Sequence, residues 1–391
     1  MFAMRNRPVV NVVRSLVLVL FLAVCAQAAQ PEFQVFVGTY TGKQSKGIYS
    51  FRFNSATGKS TAPVLAAETE NPSFLAKDWS GRFLYAVNEV GNRGGKAEGG
   101  VTVFSNDHGK LKQIQELSSL GADPAYVTLD RTGRNLLVAN YTGGNVVVFP
   151  IGKDGRLREH SAFDQHKGSS VNKERQSEPH AHFIQLSNDN RFALSADLGL
   201  DEILVYKFDA KHGKLTAADP AFAKVAPGSG PRHLAFSNDG RFVYVTNEMG
   251  MTVTAFAYNA ETGAMREVQT VSTIPGGSKK ADPKTEDSTA EIAIDSKGQF
   301  LYVSNRGEDT IAEFSIDQKN GKLTYVERIP TEGKMPRFFA LDPTGKWMFV
   351  ANQDSDDIFL FKVDAETGKL TPTGEKIVIG SPVCLVFTRA K

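Results

Sequence analysis

Cysteine and tryptophan are both scarce in this sequence of 391 residues, which contains two of each. The cysteines, Cys25 and Cys384, are too few for the disulfide framework of a small secreted domain or for a cysteine-based metal site. Burial of apolar side chains therefore has to hold the fold together. A chain of this length has ample material for a large hydrophobic core.

The sequence also lacks an excess of charge of either sign. It carries 45 Lys and Arg against 43 Asp and Glu, a formal net charge of +2. Three of the arginines fall within residues 1–28, so the other 363 residues carry 42 basic and 43 acidic side chains and a net charge of −1. Because no basic stripe remains to follow a phosphate backbone, a nucleic-acid partner is not expected.

The hydrophobic run at the N-terminus is too short to span a bilayer. Three arginines lie at or before residue 14, residues 15–26 are largely apolar, and Ala26-Gln27-Ala28 follows. A positive region, an apolar region of this length and a small-x-small site are typical of a cleaved signal peptide. We therefore predict a signal peptide at residues 1–28, cut before Ala29, a periplasmic or secreted protein, and no membrane association after cleavage.

Glycine is abundant, and it recurs at equivalent positions of a repeat. A short strand that ends in an aromatic residue recurs seven times, and a glycine suited to a tight hairpin turn follows each copy. The seven strands are Ile48–Phe51, Val101–Phe104, Val146–Phe149, Ile203–Tyr206, Val253–Phe256, Ile311–Phe314 and Ile358–Phe361, and the glycines are Gly58, Gly109, Gly155, Gly213, Gly263, Gly321 and Gly368. Two further strands precede each copy, and a fourth follows its glycine.

Seven units of four antiparallel strands predict an all-β fold, a seven-bladed β-propeller formed by residues 29–391. The first unit begins at Phe33–Val37 and lacks an innermost strand, whereas the strand Pro382–Phe387 stands alone at the C-terminus. We predict that these two strands complete one blade together. That arrangement closes the ring and removes the open sheet edges that a linear array would carry.

Side chains that break the repeat are the candidates for chemistry. Because the innermost strand and its neighbour are antiparallel, the start of one and the end of the other meet at one mouth of the central channel. The starts carry His180, His182, Arg232, His233, Glu291 and Arg337, and the ends carry Glu89, Asn247, Glu248, Asn305 and Arg306. The connections 163–178 and 275–288 and the Gly-rich stretch 91–100 enter at the same face. Convergent polar groups in a concave site are the default hypothesis for an active site.

Each candidate also has a structural alternative. The repeated Asn residues suit turn caps, and Glu248 and Glu291 could pair with arginines in a network without catalytic function. His180 and His182 share a strand face and could chelate a metal, but no third ligand at a diagnostic spacing accompanies them, so we predict no metal and no cofactor. The sequence has no phosphate-binding loop, dinucleotide fingerprint, metalloprotease helix or nucleophile elbow, which leaves nucleotide binding and serine-esterase chemistry without support.

Several motifs resemble those of the seven-bladed β-propeller lactonase family, which includes propeller-type 6-phosphogluconolactonases and carboxymuconate-lactonising enzymes. They are Val37-Gly-Thr-Tyr-Thr41, Pro179-His-Ala-His182, Gly230-Pro-Arg-His233, Val245-Thr-Asn-Glu248, Ser304-Asn-Arg-Gly307 and Asn352-Gln-Asp-Ser355. In the lactonising members the proposed catalytic set is a His, a Glu and two Arg. The resemblance places that set at His180 or His182, Glu248, Arg232 and Arg306, and it does not decide between the two histidines.

We therefore expect a lactone hydrolase. Arg232 and Arg306 would hold an anionic or polar substrate and polarise the ring ester, while His180 or His182, assisted by Glu248, would activate water. The candidate substrate-binding residues are His233, Glu291, Arg337, Asn247, Asn305 and Glu89.

Two other functions remain open at this point. A cycloisomerase that closes the ring would use the same groups, and a non-catalytic propeller that binds a sugar acid or a protein would share the fold. The expected partner is a small lactone or sugar acid, and the expected oligomeric state is a monomer or a weak homodimer.

Overall fold

The described part of the chain forms a closed ring of seven antiparallel sheets. The computed structural model describes residues 32–278 and 286–390; the predicted signal peptide lies outside them. Within these ranges the chain forms 29 β-strands and no helix, and so no helix that could cross a membrane. The predicted seven-bladed β-propeller is confirmed.

The strands of each blade follow from the innermost to the outermost. Blade 1 contains β29 (Pro382–Arg389), β1 (Glu32–Thr39), β2 (Gly47–Asn54), and the short outer strands β3 (Lys59–Ser60) and β4 (Val64–Glu68); blade 2 contains β5 (Leu75–Lys77), β6 (Phe83–Asn88), β7 (Gly100–Asp107) and β8 (Lys110–Ser118); blade 3 contains β9 (Pro124–Leu129), β10 (Asn135–Asn140), β11 (Asn145–Pro150) and β12 (Ala162–Gln165).

The remaining four blades have the same plan. Blade 4 contains β13 (Ala181–Leu186), β14 (Phe192–Asp197), β15 (Glu202–Asp209) and β16 (Lys214–Lys224); blade 5 contains β17 (Pro231–Phe236), β18 (Phe242–Asn247), β19 (Thr252–Tyr258) and β20 (Met265–Ser272); blade 6 contains β21 (Ser288–Ile294), β22 (Phe300–Arg306), β23 (Thr310–Ile316) and β24 (Leu323–Pro330); blade 7 contains β25 (Pro336–Leu341), β26 (Trp347–Asn352), β27 (Asp357–Val363) and β28 (Leu370–Val378).

The two ends of the chain close the ring within blade 1. Strand β29 pairs antiparallel with β1, with Val35 opposite Phe387 and Val37 opposite Leu385. Strand β29 also contacts β25 of blade 7 on one side and β5 of blade 2 on the other. The prediction that the N-terminal and C-terminal strands share a blade is therefore confirmed.

The hydrophobic core is divided among the blade interfaces. The described residues form seven apolar clusters, one between each pair of neighbouring blades, and Phe53 against Phe349 with ring centroids 4.8 Å apart is an example between blades 1 and 7. Strands that are buried on both faces supply many of these side chains, and the second strands of blades 3, 4 and 5 are buried along their whole length.

The repeated hairpin glycines are needed for both conformation and space. All seven have φ between +63° and +89°, a region that residues with a Cβ rarely adopt. At Gly155 a Cβ would also lie 2.3 Å from the ring of Phe83 in the neighbouring blade. The glycine pattern that revealed the repeat is therefore a consequence of how the blades turn and pack.

Glu313 is an exception in this apolar core. It occupies the third position of the repeated strand motif, where blades 3, 4 and 7 have Val148, Val205 and Leu360. Its side chain is 2% exposed, and neither carboxylate oxygen has a hydrogen-bond partner among the described groups. Burial, with a smaller contribution from Glu327, raises the pKa of Glu313 to about 7.

We expect Glu313→Gln to stabilise the protein in a pH-dependent way. Because the folded state holds the Glu313 proton more tightly than the unfolded state does, the wild-type protein loses stability as pH rises from about 4.5 to about 7. Glu313→Gln has no carboxylate to ionise in the core, so its Tm should exceed that of the wild type by a few degrees at pH 8 and by much less at pH 5. For scale, one kcal/mol shifts the Tm of a domain of 150–250 residues by about 2–4 °C.

Thermal unfolding at both pH values measures this difference. The exposed Glu159 provides a control, because Glu159→Gln changes the net charge equally without touching the core. An equal effect of both substitutions, or a Tm difference that does not grow with pH, would contradict the assignment.

Candidate active site

A β-bulge near the start of the innermost strand turns one side chain towards the central channel. In blade 4 the pairing of β13 with β14 shifts between Ala181 and Phe183, which leaves His182 unpaired. The same shift leaves Arg232 unpaired in blade 5 and Arg337 in blade 7. Because a bulge re-aims the side chain of its extra residue, the repeated backbone delivers a different chemical group from each blade.

Three sets of seven residues, one from each blade, can be defined from this pairing. The ring consists of the residues at the bulge: Val383, Ser73, Ala125, His182, Arg232, Ala290 and Arg337, in blades 1 to 7. The floor consists of the residues that follow them: Cys384, Phe74, Tyr126, Phe183, His233, Glu291 and Phe338. The rim consists of the residues at the end of the second strand that lie beside the start of the innermost strand: Tyr40, Glu89, Tyr141, Leu198, Glu248, Arg306 and Gln353.

The floor is a stack of aromatic side chains. Tyr126 lies between Phe74 and Phe183, with ring centroids 4.2 Å and 4.1 Å away, and His233 lies 4.9 Å from Phe183. On the far side of the floor is a second cavity of about 300 Å³, lined by Tyr126, Phe183 and Glu291 among others. The floor therefore separates the two mouths of the channel, and the candidate site opens on one of them.

A cavity of about 350 Å³ lies over the ring on that side, within the size range of small-molecule sites. Its lining comes from rim and ring residues and from three connections: Glu89, Tyr141, Glu248, Arg306, Ala125, His182, Arg337, Arg175, Glu286, Ser288 and Met335. A much smaller cavity of about 10 Å³ adjoins it and shares Glu89, Ala125, His182 and Arg337. The predicted gathering of His, Arg and Glu at one mouth is thus what the structure shows.

The carboxylate of Glu248 lies among three guanidinium groups. Its Oε2 is 3.0 Å from Nε of Arg232 and 2.9 Å from a terminal nitrogen of Arg306, and its Oε1 is 2.8 Å from a terminal nitrogen of Arg175. Burial would raise the pKa of Glu248, but Arg306, Arg232 and Arg175 outweigh it and hold the pKa well below the usual range. Glu248 is therefore an anion at neutral pH.

The backbone also fixes the buried arginines. Arg232, 3% exposed, donates to the carbonyl oxygen of Ala290 at 2.9 Å, and Arg306 donates to that of Thr289 at 2.9 Å. Burial, together with neighbouring arginines, lowers the pKa of both Arg232 and Arg306, although a guanidinium remains charged at neutral pH. The Nε of Arg306 is buried without a hydrogen-bond partner among the described groups.

The structure separates the two candidate histidines. His182 is 4% exposed and lines both cavities, whereas His180 lines neither. His180 instead stacks on Tyr141 with ring centroids 4.5 Å apart, and its Nδ1 donates to the carbonyl oxygen of Tyr141 at 3.2 Å. The bulge after Ala181 is the cause, because it breaks the alternation that would place both side chains on one face.

His182 is a neutral imidazole. Burial, together with the charges of Arg232 and Arg337, lowers its pKa well below the ordinary value. Its Nδ1 is buried and has no hydrogen-bond partner among the described groups. Among residues 32–278 and 286–390, no three His, Cys, Asp or Glu side chains are arranged to hold a metal ion.

Arg337 has a different kind of environment from the other arginines. Its guanidinium carbon lies 5.2 Å from the ring centroid of Tyr40, whose hydroxyl donates to Oε1 of Glu89 at 2.8 Å. Burial would lower the pKa of Arg337, but Tyr40, Glu89 and Glu248 together raise it. Glu89 and Arg337, both predicted as substrate-binding residues, therefore lie side by side in the cavity wall.

His233 and Glu291 lie in the floor, one layer below their predicted place. Nδ1 of His233 is 3.2 Å from Oε2 of Glu291, and a terminal nitrogen of Arg232 lies 3.3 Å from Nε2 of His233. Burial lowers the pKa of His233 to about 4, although Glu291 opposes the shift. A neutral His233 can donate to Glu291 and accept from Arg232, so the pair positions Arg232. His233 lines the smaller cavity, and Glu291 lines neither of the two on this side.

Asn247 and Asn305 do not line the cavities and are buried at the strand ends. The Nδ2 of Asn247 donates to Thr252 and Thr254 across the hairpin, and that of Asn305 donates to Thr310. These bonds clamp the turn between the second and third strands. Asn247 and Asn305 thus cap turns, which is the predicted structural alternative to substrate binding.

Several cavity residues were not among the candidates, including Glu286 from the connection before β21 and Ser288 at the start of β21. Arg175 lies in the predicted insertion, which begins after Gln165 rather than at Phe163 because Ala162–Gln165 forms β12. Tyr40 and Tyr141 are rim residues, and Ser73 is the ring residue of blade 2. In five blades a proline precedes the ring residue, and aligning those units on it would have identified Ser73, the counterpart of Arg232 and Arg337.

The insertion that carries Arg175 is fastened at both of its ends. Nδ1 of His166 lies 2.6 Å from Oδ2 of Asp197, and both side chains are completely buried. Gln176 donates to the carbonyl oxygen of Leu198 at 2.9 Å. The guanidinium of Arg175 is consequently held over the cavity, where it also lies 3.2 Å from the hydroxyl of Tyr141.

Comparison with known proteins agrees with this geometry. The family model for seven-bladed β-propeller lactonases matches residues 34–387. The chain belongs to the seven-bladed β-propeller lactonase family. This assignment confirms the predicted family, and relatives named as lactonases support lactone hydrolysis as the class of activity.

Named relatives and solved structures are similar over most of the chain. A 6-phosphogluconolactonase of Bacillus subtilis is 36% identical over 305 residues, which cover 78% of this chain and 83% of the relative. A putative 6-phosphogluconolactonase from Bacteroides fragilis is 40% identical with a TM-score of 0.83, covering 92% of this chain and 99% of its own. A periplasmic gluconolactonase of Pseudomonas aeruginosa is 37% identical with a TM-score of 0.84, covering 92% and 100%.

We expect Glu291 to act on catalysis through His233 and Arg232. Glu291→Ala removes the acceptor that orients His233, so lactone hydrolysis should lose about tenfold in kcat with little change in KM, because misplacing a catalytic group lowers the rate of the chemical step. Glu291→Gln retains an acceptor oxygen and should restore most of the activity. Steady-state kinetics of both variants measure the effect, and equal losses in both would show that the negative charge, not orientation, is what matters.

Proposed function

We propose that this protein hydrolyses the ring ester of an unphosphorylated sugar lactone outside the cytoplasm. The observation that carries the proposal is a neutral His182 that faces the same cavity as Arg306 and Arg337, over a closed floor. Such a set supplies a proton acceptor and positive charge at one place, which is what attack of water on an ester carbonyl requires.

The reaction can be followed group by group. His182 takes a proton from the attacking water, whose oxygen bonds to the lactone carbonyl carbon. Negative charge then develops on the carbonyl oxygen, and the guanidinium of Arg337 or Arg306 stabilises it. The ring oxygen leaves as the tetrahedral intermediate collapses and takes the proton from His182, so the product is the open hydroxy acid.

Glu248 is assigned a role different from that of a general base. Its carboxylate oxygens contact Arg175, Arg232 and Arg306 rather than His182, so both are already engaged by guanidinium groups. It neutralises the arginines and fixes their directions before substrate arrives. The assistance it gives to His182 is therefore electrostatic and indirect.

The charge balance of the cavity favours a neutral, polyhydroxylated substrate. Three arginines line the 350 Å³ cavity together with three glutamates: Glu89, Glu248 and Glu286. Carboxylates accept hydrogen bonds from sugar hydroxyls but repel a phosphate group that carries up to two negative charges. The structural similarity to a periplasmic gluconolactonase supports the same substrate class, whereas relatives named 6-phosphogluconolactonase make the phosphorylated lactone the competing candidate.

Residues 1–28 fit this substrate assignment. Their arginines, apolar stretch and small-x-small site have the pattern of a signal peptide. A protein exported by such a segment meets lactones formed outside the cytoplasm. We assign residues 29–391 to the mature protein and expect it to act as a monomer or a weak homodimer.

A lactone panel tests the substrate assignment directly. With the chain purified from Ala29 onwards, kcat/KM for an unphosphorylated hexono-δ-lactone should exceed that for its 6-phosphate by about tenfold or more, because phosphate would meet the cavity glutamates. Acid release at constant pH gives the rates. A preference for the phosphorylated lactone would overturn the assignment, and a ligand-induced rise in Tm without any turnover would favour a binding protein.

Substitutions test the assigned groups. His182→Gln and Arg306→Gln should each reduce lactone hydrolysis by about tenfold or more, since a positioned base alone contributes about 10²–10⁴ in rate. His180→Gln is the matched control, because His180 lies two residues away outside the cavity wall and should retain most of the activity. If His180→Gln were the more damaging of the two histidine substitutions, the base would have to be reassigned.

A further inference from the structure

The smaller cavity beside the ring has the size of one water molecule. Its volume is about 10 Å³, close to the space that one water needs. Ring residues form most of its wall, and it adjoins the larger cavity through Ala125, His182 and Arg337. A molecule held there would lie at the bottom of the substrate space, against the floor.

Two residues in the wall of this cavity each have a buried polar atom without a hydrogen-bond partner among the described groups. The two atoms are Oγ of Ser73 and Nδ1 of His182, and each residue is 4% exposed. A buried polar atom without a partner destabilises the fold, and native structures usually relieve that cost with protein groups or ordered water. The residues that carry these atoms, Ser73 of blade 2 and His182 of blade 4, both line one cavity of the right size.

The residue between them keeps the space open. Blade 3 contributes Ala125, whose side chain is too short to fill the gap between Ser73 and His182. Arg232 and Arg337 complete the polar part of the wall. The site thus has the two to four polar partners that a buried water requires, whereas a cavity lined only by apolar groups would stay dry.

We propose that Ser73 and His182 together hold the water that attacks the lactone, which makes Ser73 a positioning residue for hydrolysis. This inference rests on the proposed function. Ser73 and His182 each accept one hydrogen of the water, so the free lone pair of its oxygen faces the carbonyl carbon in the larger cavity. One proton moves to His182 as the new C–O bond forms, and His182 returns it to the ring oxygen when the old C–O bond breaks; Ser73 is unchanged by the cycle.

The neutral state of His182 supports this assignment. Burial and the neighbouring arginines lower its pKa, so the imidazole retains a free lone pair to accept a proton at neutral pH. Ser73 carries no charge and has no titration of its own in this range. Ser73 therefore contributes by positioning the water, so its loss should lower kcat and leave substrate affinity unchanged.

Ser73→Ala is the central test. We expect kcat for lactone hydrolysis to fall at least tenfold while KM changes less than twofold, because the variant loses a contact to water and none to substrate. The fold should tolerate the change, since the equivalent ring position is Ala125 in blade 3 and Ala290 in blade 6. Ser119→Ala, which removes a buried serine hydroxyl at the junction of blades 2 and 3, controls for a general loss of stability and should keep the wild-type kcat.

A crystal structure of the wild-type protein provides a readout that is independent of activity. Density for one water within about 3.2 Å of both Ser73 Oγ and an imidazole nitrogen of His182 is the expected result. Absence of that density, or wild-type kcat in Ser73→Ala, would overturn the inference. If the wild type hydrolysed no lactone, the proposed function would fail, whereas the crystal structure alone would decide whether the water site exists.

Discussion

The ion cluster around Glu248 is the interaction on which the candidate site depends. Arg175, Arg232 and Arg306 converge on one buried carboxylate. Three like charges at this separation in a poorly solvated space repel one another, and the cost is tolerable only because an anion lies between them. The carboxylate also determines where each guanidinium points. The site is therefore assembled before substrate enters, which is the condition under which fixed charges contribute most to catalysis.

A backbone irregularity converts a symmetrical scaffold into this asymmetrical site. The bulge at the start of the innermost strand recurs around the propeller, yet the side chains it delivers range from Val383 and Ala125 to His182 and Arg232. The hairpin glycines and strand-end asparagines maintain the common geometry. Chemistry can thus vary at ring and rim positions without disturbing the blade interfaces that stabilise the fold.

The sequence was sufficient to predict the architecture because its signals are local and repeated. Turn glycines such as Gly155 mark each hairpin, and the unpaired end strands imply the shared blade. The common mouth of Glu248 and Arg232 followed from antiparallel pairing alone. In contrast, the choice between His180 and His182 depends on a bulge that leaves no local signature, because both residues satisfy the same alternation in the sequence.

Long-range contacts account for the rest of what the sequence could not predict. Arg175 reaches Glu248 across 73 positions of the chain, and nothing in the insertion itself shows how far its backbone is folded over the mouth. His233 was expected to face substrate, but its Nδ1 is directed to Glu291 across the blade boundary. Both contacts depend on which blades lie next to each other, and the sequence of a single unit does not show its neighbours in the closed ring.

The floor determines which polar groups on its two sides are in contact. Its aromatic rings separate two cavities, so a substrate and its product must use the same mouth. His233 and Glu291 interrupt the aromatic layer and join Arg232 to a carboxylate that lines the opposite cavity. A chain of hydrogen bonds from Glu291 through His233 and Arg232 to Glu248 therefore crosses the floor. A lactone cannot pass through the floor. Because Arg232 is held from both ends of that chain of hydrogen bonds, the direction of its guanidinium does not depend on what occupies the substrate cavity.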